Sequence, residues 1–125
     1  MNKWNDKLEL GIGFIDRAHK EIFDMFDRLV NQKDSLDEQL LNLLIHFKYY
    51  FADEESLLLD ISFPEYDHHK NEHNTLINDL EEILNDLLKA NKNSLSCEKI
   101  NSILDTYFLH ILKEDSKIKN HFFYP

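Results

Sequence analysis

Turn-forming residues are scarce in this chain, which has 2 glycines and 2 prolines among 125 residues. So few turn formers over that length predict a small number of long helices joined by short connections. The single cysteine, Cys97, excludes an internal disulfide and any cluster of thiolate ligands within one chain. The sequence has no run of about 18 apolar residues, so it contains no predicted transmembrane helix.

The opening stretch, MNKWNDKLEL, lacks the apolar core of a signal peptide, so we expect a cytoplasmic protein. The formal net charge of -10 disfavours binding to nucleic acid phosphates and to anionic membranes. Acidity by itself is mostly a solubility feature. The 7 histidines are more informative, because average usage gives roughly three in a chain of this length.

Apolar residues recur at alternating intervals of three and four along four segments, as expected of helices that face the interior of a bundle. Asp16 is the predicted N-cap of the first helix, which follows an arm over residues 1–15. Ser35 and Glu38 have the spacing of a capping box at the start of the second helix. Pro64 closes that helix and fits the first turn of the third.

The loop ANKNS separates the third helix from a fourth over about residues 95–113, and the short tail KIKNHFFYP follows. Amphipathic helices joined by connections of a few residues predict an antiparallel, up-down-up-down four-helix bundle. We therefore expect one all-α domain over residues 1–125, with an N-terminal arm and a short C-terminal tail.

Polar side chains occupy inward positions of these helices where leucine is expected. They are His19, Tyr50, Glu54, His69, His73 and His110. A lone core histidine is usually structural, but four histidines and a carboxylate on four helices are hard to reconcile with an apolar core. A buried carboxylate without a cation costs several kcal/mol, and a metal centre removes that cost.

The spacing of His69 and His73 favours chelation of one ion. Four residues apart, they project from successive helical turns toward one point, about 6 Å along the axis. His68 and Asp67 point elsewhere and are predicted to lie on the surface. Imidazole and carboxylate ligands without thiolate suit iron, zinc or manganese. The number of possible ligands exceeds the four that one tetrahedral zinc needs. Two metal ions bridged by carboxylates would employ more of them.

Four blocks of the sequence form a recognisable set. LGIGFIDRAHK follows an N-terminal tryptophan, Trp4, and YFADEESLL is similar to a block written HFxxEE. FPEYDHHKNEH contains a proline followed by H-x-x-x-H, and HILKED contains H-x-x-x-x-D. In these blocks the chain resembles the hemerythrin family over nearly its whole length, specifically the single-domain bacterial hemerythrins.

The resemblance implies a four-helix bundle with two non-haem iron ions, bridged by a glutamate, an aspartate and an oxo or hydroxo group, that bind dioxygen reversibly. Zinc or manganese could substitute for iron. By this resemblance the bridges are Glu54 and Asp115, one iron is held by His69, His73 and His110, and the other by His19. Asp115 lies five residues after His110, which is about 140° around a regular helix, so both reach one site only if the helix loosens or ends there, as a π-type turn would allow.

Tyr50 departs from the family pattern. Hemerythrins have a histidine ligand four residues before the bridging glutamate, and here that position is Tyr50. His46 cannot replace it, because it lies two turns from Glu54, about 12 Å along the axis. Three interpretations are open: Tyr50 binds iron as phenolate, it donates a hydrogen bond beside an open coordination position, or it packs in a degenerate site.

Three functions fit this pattern. The first is dioxygen binding, for storage, transport or sensing. The second is a diiron redox enzyme handling peroxide or nitric oxide, favoured if Tyr50 ligates ferric iron, because phenolate is a hard anionic donor. The third is storage of iron or zinc. The expected partner is dioxygen or another small diatomic or peroxide ligand, and the expected state is a monomer or weak homodimer. We expect His121, in the tail, to face solvent and Glu114 to be exposed.

Overall fold

The computed structural model describes residues 4–31, 35–89 and 97–124, and it confirms the predicted all-α four-helix bundle. The four long helices are α1 (Gly13–Asn31), α2 (Leu36–Asp60), α3 (Tyr66–Lys89) and α4 (Cys97–His110). Helix α1 packs against α2 and α4, and α3 packs against the same two, so the helices close around one core. Within the described ranges, none of the helices is long and apolar enough to cross a membrane.

The short tail predicted after the fourth helix is largely helical. After His110 the chain forms a π-helical turn, Ile111–Asp115, and then a short helix α5, Ser116–Phe123. Ile118 of α5 is fully buried against apolar residues of the bundle, so this segment packs on its end. The helix does loosen after His110 through a π-type turn, and the predicted loop ANKNS lies outside the described residues.

Asp16 was predicted to be an N-cap, but α1 begins three residues earlier at Gly13. The carboxylate of Asp16 instead accepts hydrogen bonds from the backbone N–H groups of Leu10, at 2.8 Å, and Gly11, at 3.0 Å. Gly11 has a φ of +83°, a left-handed conformation that glycine adopts without a steric cost. Asp16 therefore ties the arm to the first turn of α1, and the arm contains a short 3₁₀ turn, Asp6–Leu8.

The predicted capping box at the start of α2 is also wrong. Ser35 has a left-handed backbone, with φ 55° and ψ 44°, and its side chain makes no capping hydrogen bond. A capping side chain needs an extended backbone to reach the free amide groups, which Ser35 lacks. Pro64 lies between α2 and α3, two residues before α3 begins at Tyr66, and not in its first turn.

Two apolar clusters leave a polar layer between them. The larger cluster fills most of the bundle and includes Phe23, Phe26 and Leu80. The smaller cluster contains Leu10, Ile12, Ile15, Leu58, Phe63 and Ile118. Because neighbouring helices are antiparallel, the start of α1, the end of α2, the start of α3 and the end of α4 meet at this end of the bundle. The arm and α5 cover that end, so polar residues there are shielded from water.

Candidate metal centre

Buried polar side chains from α2, α3, the end of α4 and the π-helical turn meet in the layer between the two apolar clusters. Glu54, His69, His73, His110 and Asp115 each offer one ligand atom, and these atoms all lie within 4.8 Å of one another. All five side chains are buried, and His73 is fully inaccessible to solvent. The predicted inward positions on separate helices therefore converge on one point.

His19, from α1, lies on the other side of the two carboxylates. Its Nε2 is 3.0 Å from Oδ2 of Asp115 and 3.7 Å from Oε2 of Glu54. The histidine itself is buried. Its neighbours on the inner face of α1, Ile15 and Ile22, belong to the two different apolar clusters, so His19 stands in the layer between them.

In each of the two carboxylates, one oxygen faces the histidines of α3 and α4, and the other oxygen faces His19. Oε1 of Glu54 lies 2.5 Å from Nε2 of His69 and 3.2 Å from Nε2 of His73, whereas Oε2 faces His19. Oδ1 of Asp115 lies 2.9 Å from Nε2 of His69, whereas Oδ2 faces His19. A carboxylate arranged in this way has one oxygen available to each of two neighbouring positions.

The π-helical turn is what brings Asp115 into the layer. In a regular helix Asp115 would lie about 140° around the axis from His110. The wider turn over Ile111–Asp115 changes that rotation, so Oδ1 of Asp115 lies 3.1 Å from Nε2 of His110. Single π-type turns of this kind are frequent at functional sites.

Two glutamates that sequence reasoning missed orient the histidine rings. Nδ1–H of His73 donates to Glu55 at 2.8 Å, and Nδ1–H of His110 donates to Glu72 at 2.7 Å. With Nδ1 engaged, the Nε2 lone pair of each ring is the one that faces the cluster. The sequence does contain one indication of this role, because each of the two glutamates is the direct neighbour of a predicted metal ligand.

The donor set fits a cation better than it fits hydrogen bonding alone. Within the described residues, Oδ1 of Asp115 accepts no hydrogen bond, although the nearest imidazole nitrogens are only 2.9 and 3.1 Å away. Nε2 of His73 and Nε2 of His110 also face each other at 3.1 Å. Because Nδ1–H of each ring donates to a glutamate, both Nε2 atoms carry lone pairs in the neutral rings, and converging lone pairs suit a metal ion. Imidazole and carboxylate donors suit iron, zinc and manganese.

Comparison with known proteins agrees with this geometry. Residues 10–122 match the family profile described as the Hemerythrin HHE cation binding domain. The chain belongs to the hemerythrin family. A bacteriohemerythrin of Campylobacter jejuni subsp. jejuni is 32% identical over 127 residues, covering 95% of this chain and 94% of the relative. A bacteriohemerythrin of Clostridium acetobutylicum is 24% identical over 121 residues, covering 90% and 94%. No solved structure gives a significant match.

Tyr50, the remaining predicted ligand of this hemerythrin, has its hydroxyl engaged by a residue outside the cluster. Its hydroxyl donates to Oε2 of Glu21, on α1, at 2.5 Å. Burial and this hydrogen bond raise the pKa of Tyr50 to about 12. His46 stands beside it, with Nε2 3.5 Å from Oε1 of Glu21 and Nδ1–H donated to the carbonyl of Asn42. This arrangement corresponds to a protonated phenol, and the phenolate interpretation stays a prediction.

Three further polar residues, predicted to lie on the surface, each contact other side chains or the backbone. His68 is exposed, as predicted, but its Nε2 lies 2.9 Å from Glu72. Glu114 was predicted to be exposed, yet its side chain is only 14% accessible, because it lies against His68 and Lys117. His121 was predicted to face solvent, but its Nε2–H donates to the carbonyl of Ile61 at 2.9 Å. This bond joins α5 to the end of α2.

The hemerythrin cluster balances its charges with protons when no metal is bound. Burial lowers the pKa of His19, but hydrogen bonding and ion pairing with Asp115 and Glu54 outweigh it and raise that pKa to about 9. The same balance raises the pKa of His69 to about 10. Burial alone would raise the pKa of Glu54 and of Asp115, but the facing histidines keep both carboxyl pKa values lowered.

Metal loading should therefore release protons. His19 and His69, with raised pKa values, are protonated at pH 7 in the metal-free protein, and each must lose its Nε2 proton to ligate. Burial lowers the pKa of His110, but Asp115 outweighs burial and raises that pKa as well, so a third proton can add to these. We expect release of at least about two protons per chain on zinc loading at pH 7, and an affinity that rises with pH until the histidines are neutral. Calorimetric titration in buffers of different ionisation enthalpy measures this number. Loading without proton release would contradict the assigned charge state.

Proposed function

We propose that this chain holds two non-haem iron ions in the buried cluster, and that these ions supply reversible binding of dioxygen or a related small oxidant. The observation that supports two ions is the division of carboxylate oxygens. Glu54 and Asp115 each turn one oxygen toward the three-histidine group and the other toward His19. A single ion at the three-histidine position would leave the outer oxygen of each carboxylate to a protonated His19, whereas a second ion engages both oxygens and the Nε2 of His19 together.

The two positions have unequal numbers of protein donors. One would be held by His69, His73 and His110 together with both carboxylates. The other would be held by His19 and the same carboxylates, since the hydroxyl of Tyr50 is engaged by Glu21. Fewer protein donors leave coordination positions open to a small molecule, as catalytic and ligand-binding metal sites require and closed structural sites do not.

A cavity of about 250 Å³ lies on the His19 side of the cluster. Its walls include His19, Glu54, Tyr50, Phe51 and Tyr107. Phe14 and Ile15 add apolar surface to this wall, whereas Arg17, Glu21 and Asp53 add charged groups. The cavity is therefore large enough for a small molecule, and it lies beside the less crowded ion position.

Anaerobic reconstitution with ferrous iron tests this proposal. We expect two iron ions per chain, and a visible absorption spectrum that appears when dioxygen is admitted and disappears when it is removed under argon. The zinc-loaded protein is the matched control, because zinc occupies the same kind of site but has no redox chemistry. It should bind two ions and show no spectral response to dioxygen.

The outcomes separate the candidate functions. One iron per chain, or none, would contradict the two-ion centre. Two irons with a spectrum that does not reverse, accompanied by turnover of peroxide or nitric oxide, would favour a redox enzyme. Two irons with no response to any of these molecules would favour iron storage.

A further inference from the structure

A second group of possible metal ligands lies outside the buried centre. Nε2 of His68 is 2.9 Å from Oε2 of Glu72 and 3.4 Å from Oε1 of Glu114. One ligand atom from each of the three residues lies within 4.8 Å of the others. One imidazole and two carboxylates are donors suited to divalent transition metals. The buried centre uses none of these three side chains as a ligand.

The helical register explains why this outer cluster exists. His68, Glu72 and Glu114 each directly precede a residue of the buried cluster in the sequence. Successive residues of a helix are rotated by about 100°, so the residue before an inward ligand lies on the flank of the helix. His68 and Glu72 are four residues apart and therefore share one flank of α3. That flank faces Glu114 across the groove between α3 and the π-helical turn.

Glu72 connects the outer cluster to the buried centre. Its Oε1 accepts the Nδ1–H of His110 at 2.7 Å, while its Oε2 faces His68. The same residues line a surface groove of about 410 Å³, together with Glu114 and Lys113. A cation held in this groove would therefore stand one carboxylate away from a ligand of the buried centre, on the side open to solvent.

The local charges favour a cation in the groove. Glu114 also accepts from Lys117 at 3.2 Å, but Lys117 is shared with Glu65 at 3.3 Å. Lys113 also lines the groove, so two lysines lie near the three carboxylates of Glu65, Glu72 and Glu114. A divalent ion bound between His68, Glu72 and Glu114 is attracted by two of these carboxylates at once.

We propose that His68, Glu72 and Glu114 form a second, surface site for a divalent transition-metal ion, and that ions reach the buried centre through it. The alternative is ordinary ion pairing, in which His68 does no more than link two carboxylates. The proposal goes beyond small-molecule binding at the buried centre, because it concerns a separate set of ligands with its own occupancy.

Manganese binding to the zinc-loaded protein tests the first part. Zinc at two equivalents fills the buried centre and gives no paramagnetic signal, and manganese, the weaker binder, does not displace it. The loss of the free Mn²⁺ signal in electron paramagnetic resonance should reveal one further ion per chain. His68→Ala and Glu114→Gln should each weaken this binding by about tenfold or more, since even residues that only orient a ligand often cost that much.

His46→Ala is the matched control for this titration, because His46 is another partly exposed imidazole, but it faces a single glutamate, Glu21. It should keep the extra ion. Absence of the ion in the parent, or equal loss in His46→Ala, would overturn the surface site. Zinc retained by each variant after a chelator wash is measured separately, so a defect in the buried centre cannot be mistaken for loss of the outer ion.

Loading kinetics test the second part. Cobalt ions mixed with metal-free protein should give a rising visible absorption as they enter the buried centre. His68→Ala should slow this rise by about tenfold, because it removes the imidazole ligand that holds an entering ion beside Glu72 and Glu114. The final amplitude should stay the same, and His46→Ala should load at the parent rate. An unchanged rate in His68→Ala would overturn the route through the groove.

Discussion

Replacing His73 by alanine should abolish stable metal binding at the three-histidine end of the buried centre. The side chain is fully buried, and its Nε2 lies 3.2 Å from Oε1 of Glu54 and 3.1 Å from Nε2 of His110. Loss of a residue that only orients a ligand costs about 10- to 100-fold in affinity, so loss of a ligand should cost at least that. Metal content after a chelator wash, measured by atomic spectroscopy, gives the result.

His68→Ala is the control, since His68 lies on the same helix but outside the buried cluster. After the chelator wash it should retain the buried ions, and equal losses in both variants would count against the assignment. His73→Ala also removes a ring stacked on Phe51 at 3.8 Å between centroids, which lowers stability without metal. The informative quantity is therefore the amount by which added metal raises the free energy of unfolding. For one site this increase is about 2.7 kcal/mol at a free metal concentration 100 times its Kd.

Replacing Tyr50 by histidine should strengthen binding of the ion on the His19 side. Hemerythrins place a histidine ligand four residues before the bridging glutamate, and Glu54 is the bridge we propose here, so the new imidazole would add a neutral donor. We expect affinity for the second ion to rise by about tenfold or more. We also expect the dioxygen-dependent spectrum of the iron-loaded protein to persist longer in air than in the parent. An unchanged second affinity would show that residue 50 does not face the ion.

The companion substitution, Tyr50→Phe, asks whether the parent tyrosine is itself a ligand. It keeps the ring and removes only the hydroxyl, which donates to Glu21 in this structure. Because Glu21 holds this hydroxyl, we expect iron content and the visible spectrum of Tyr50→Phe to match the parent.

A phenolate-to-iron(III) band in the parent that vanishes in Tyr50→Phe would instead make Tyr50 a ligand and favour the redox enzyme. Tyr107→Phe is the control, because Tyr107 is fully buried and lines the same cavity. A band lost only in Tyr107→Phe would show that the other tyrosine carries it.

Much of the candidate site was predictable because its signals are local. The three-and-four spacing that puts Leu76 and Leu80 in the core also puts His69 and His73 there, and the structure buries all four. The π-helical turn was predictable for a similar reason. His110 and Asp115 can face one point only if the helix between them widens, which it does at Ile111–Asp115.

Helix ends were predicted less well, because the polar residues that can cap a helix can also form other hydrogen bonds. Asp16 has a side chain that can cap a helix, but its carboxylate instead binds the arm, whose position depends on Gly11. Ser35 followed by Glu38 fits a capping box only with an extended backbone, and Ser35 is left-handed. The tail was expected only to be short, and burial of Ile118 against the end of the bundle stabilises most of it as α5.

The sequence by itself determined which residues face inward, which helices carry them, and that imidazole and carboxylate donors share one layer. These properties follow from helical periodicity, which neighbouring residues fix. The tertiary structure alone decided how the oxygens of Glu54 and Asp115 divide between two histidine groups, and that the Tyr50 hydroxyl turns to Glu21. It also decided that Glu72 links His110 to His68. Such contacts join different helices, so they depend on helix rotation and side-chain rotamers that no local spacing specifies.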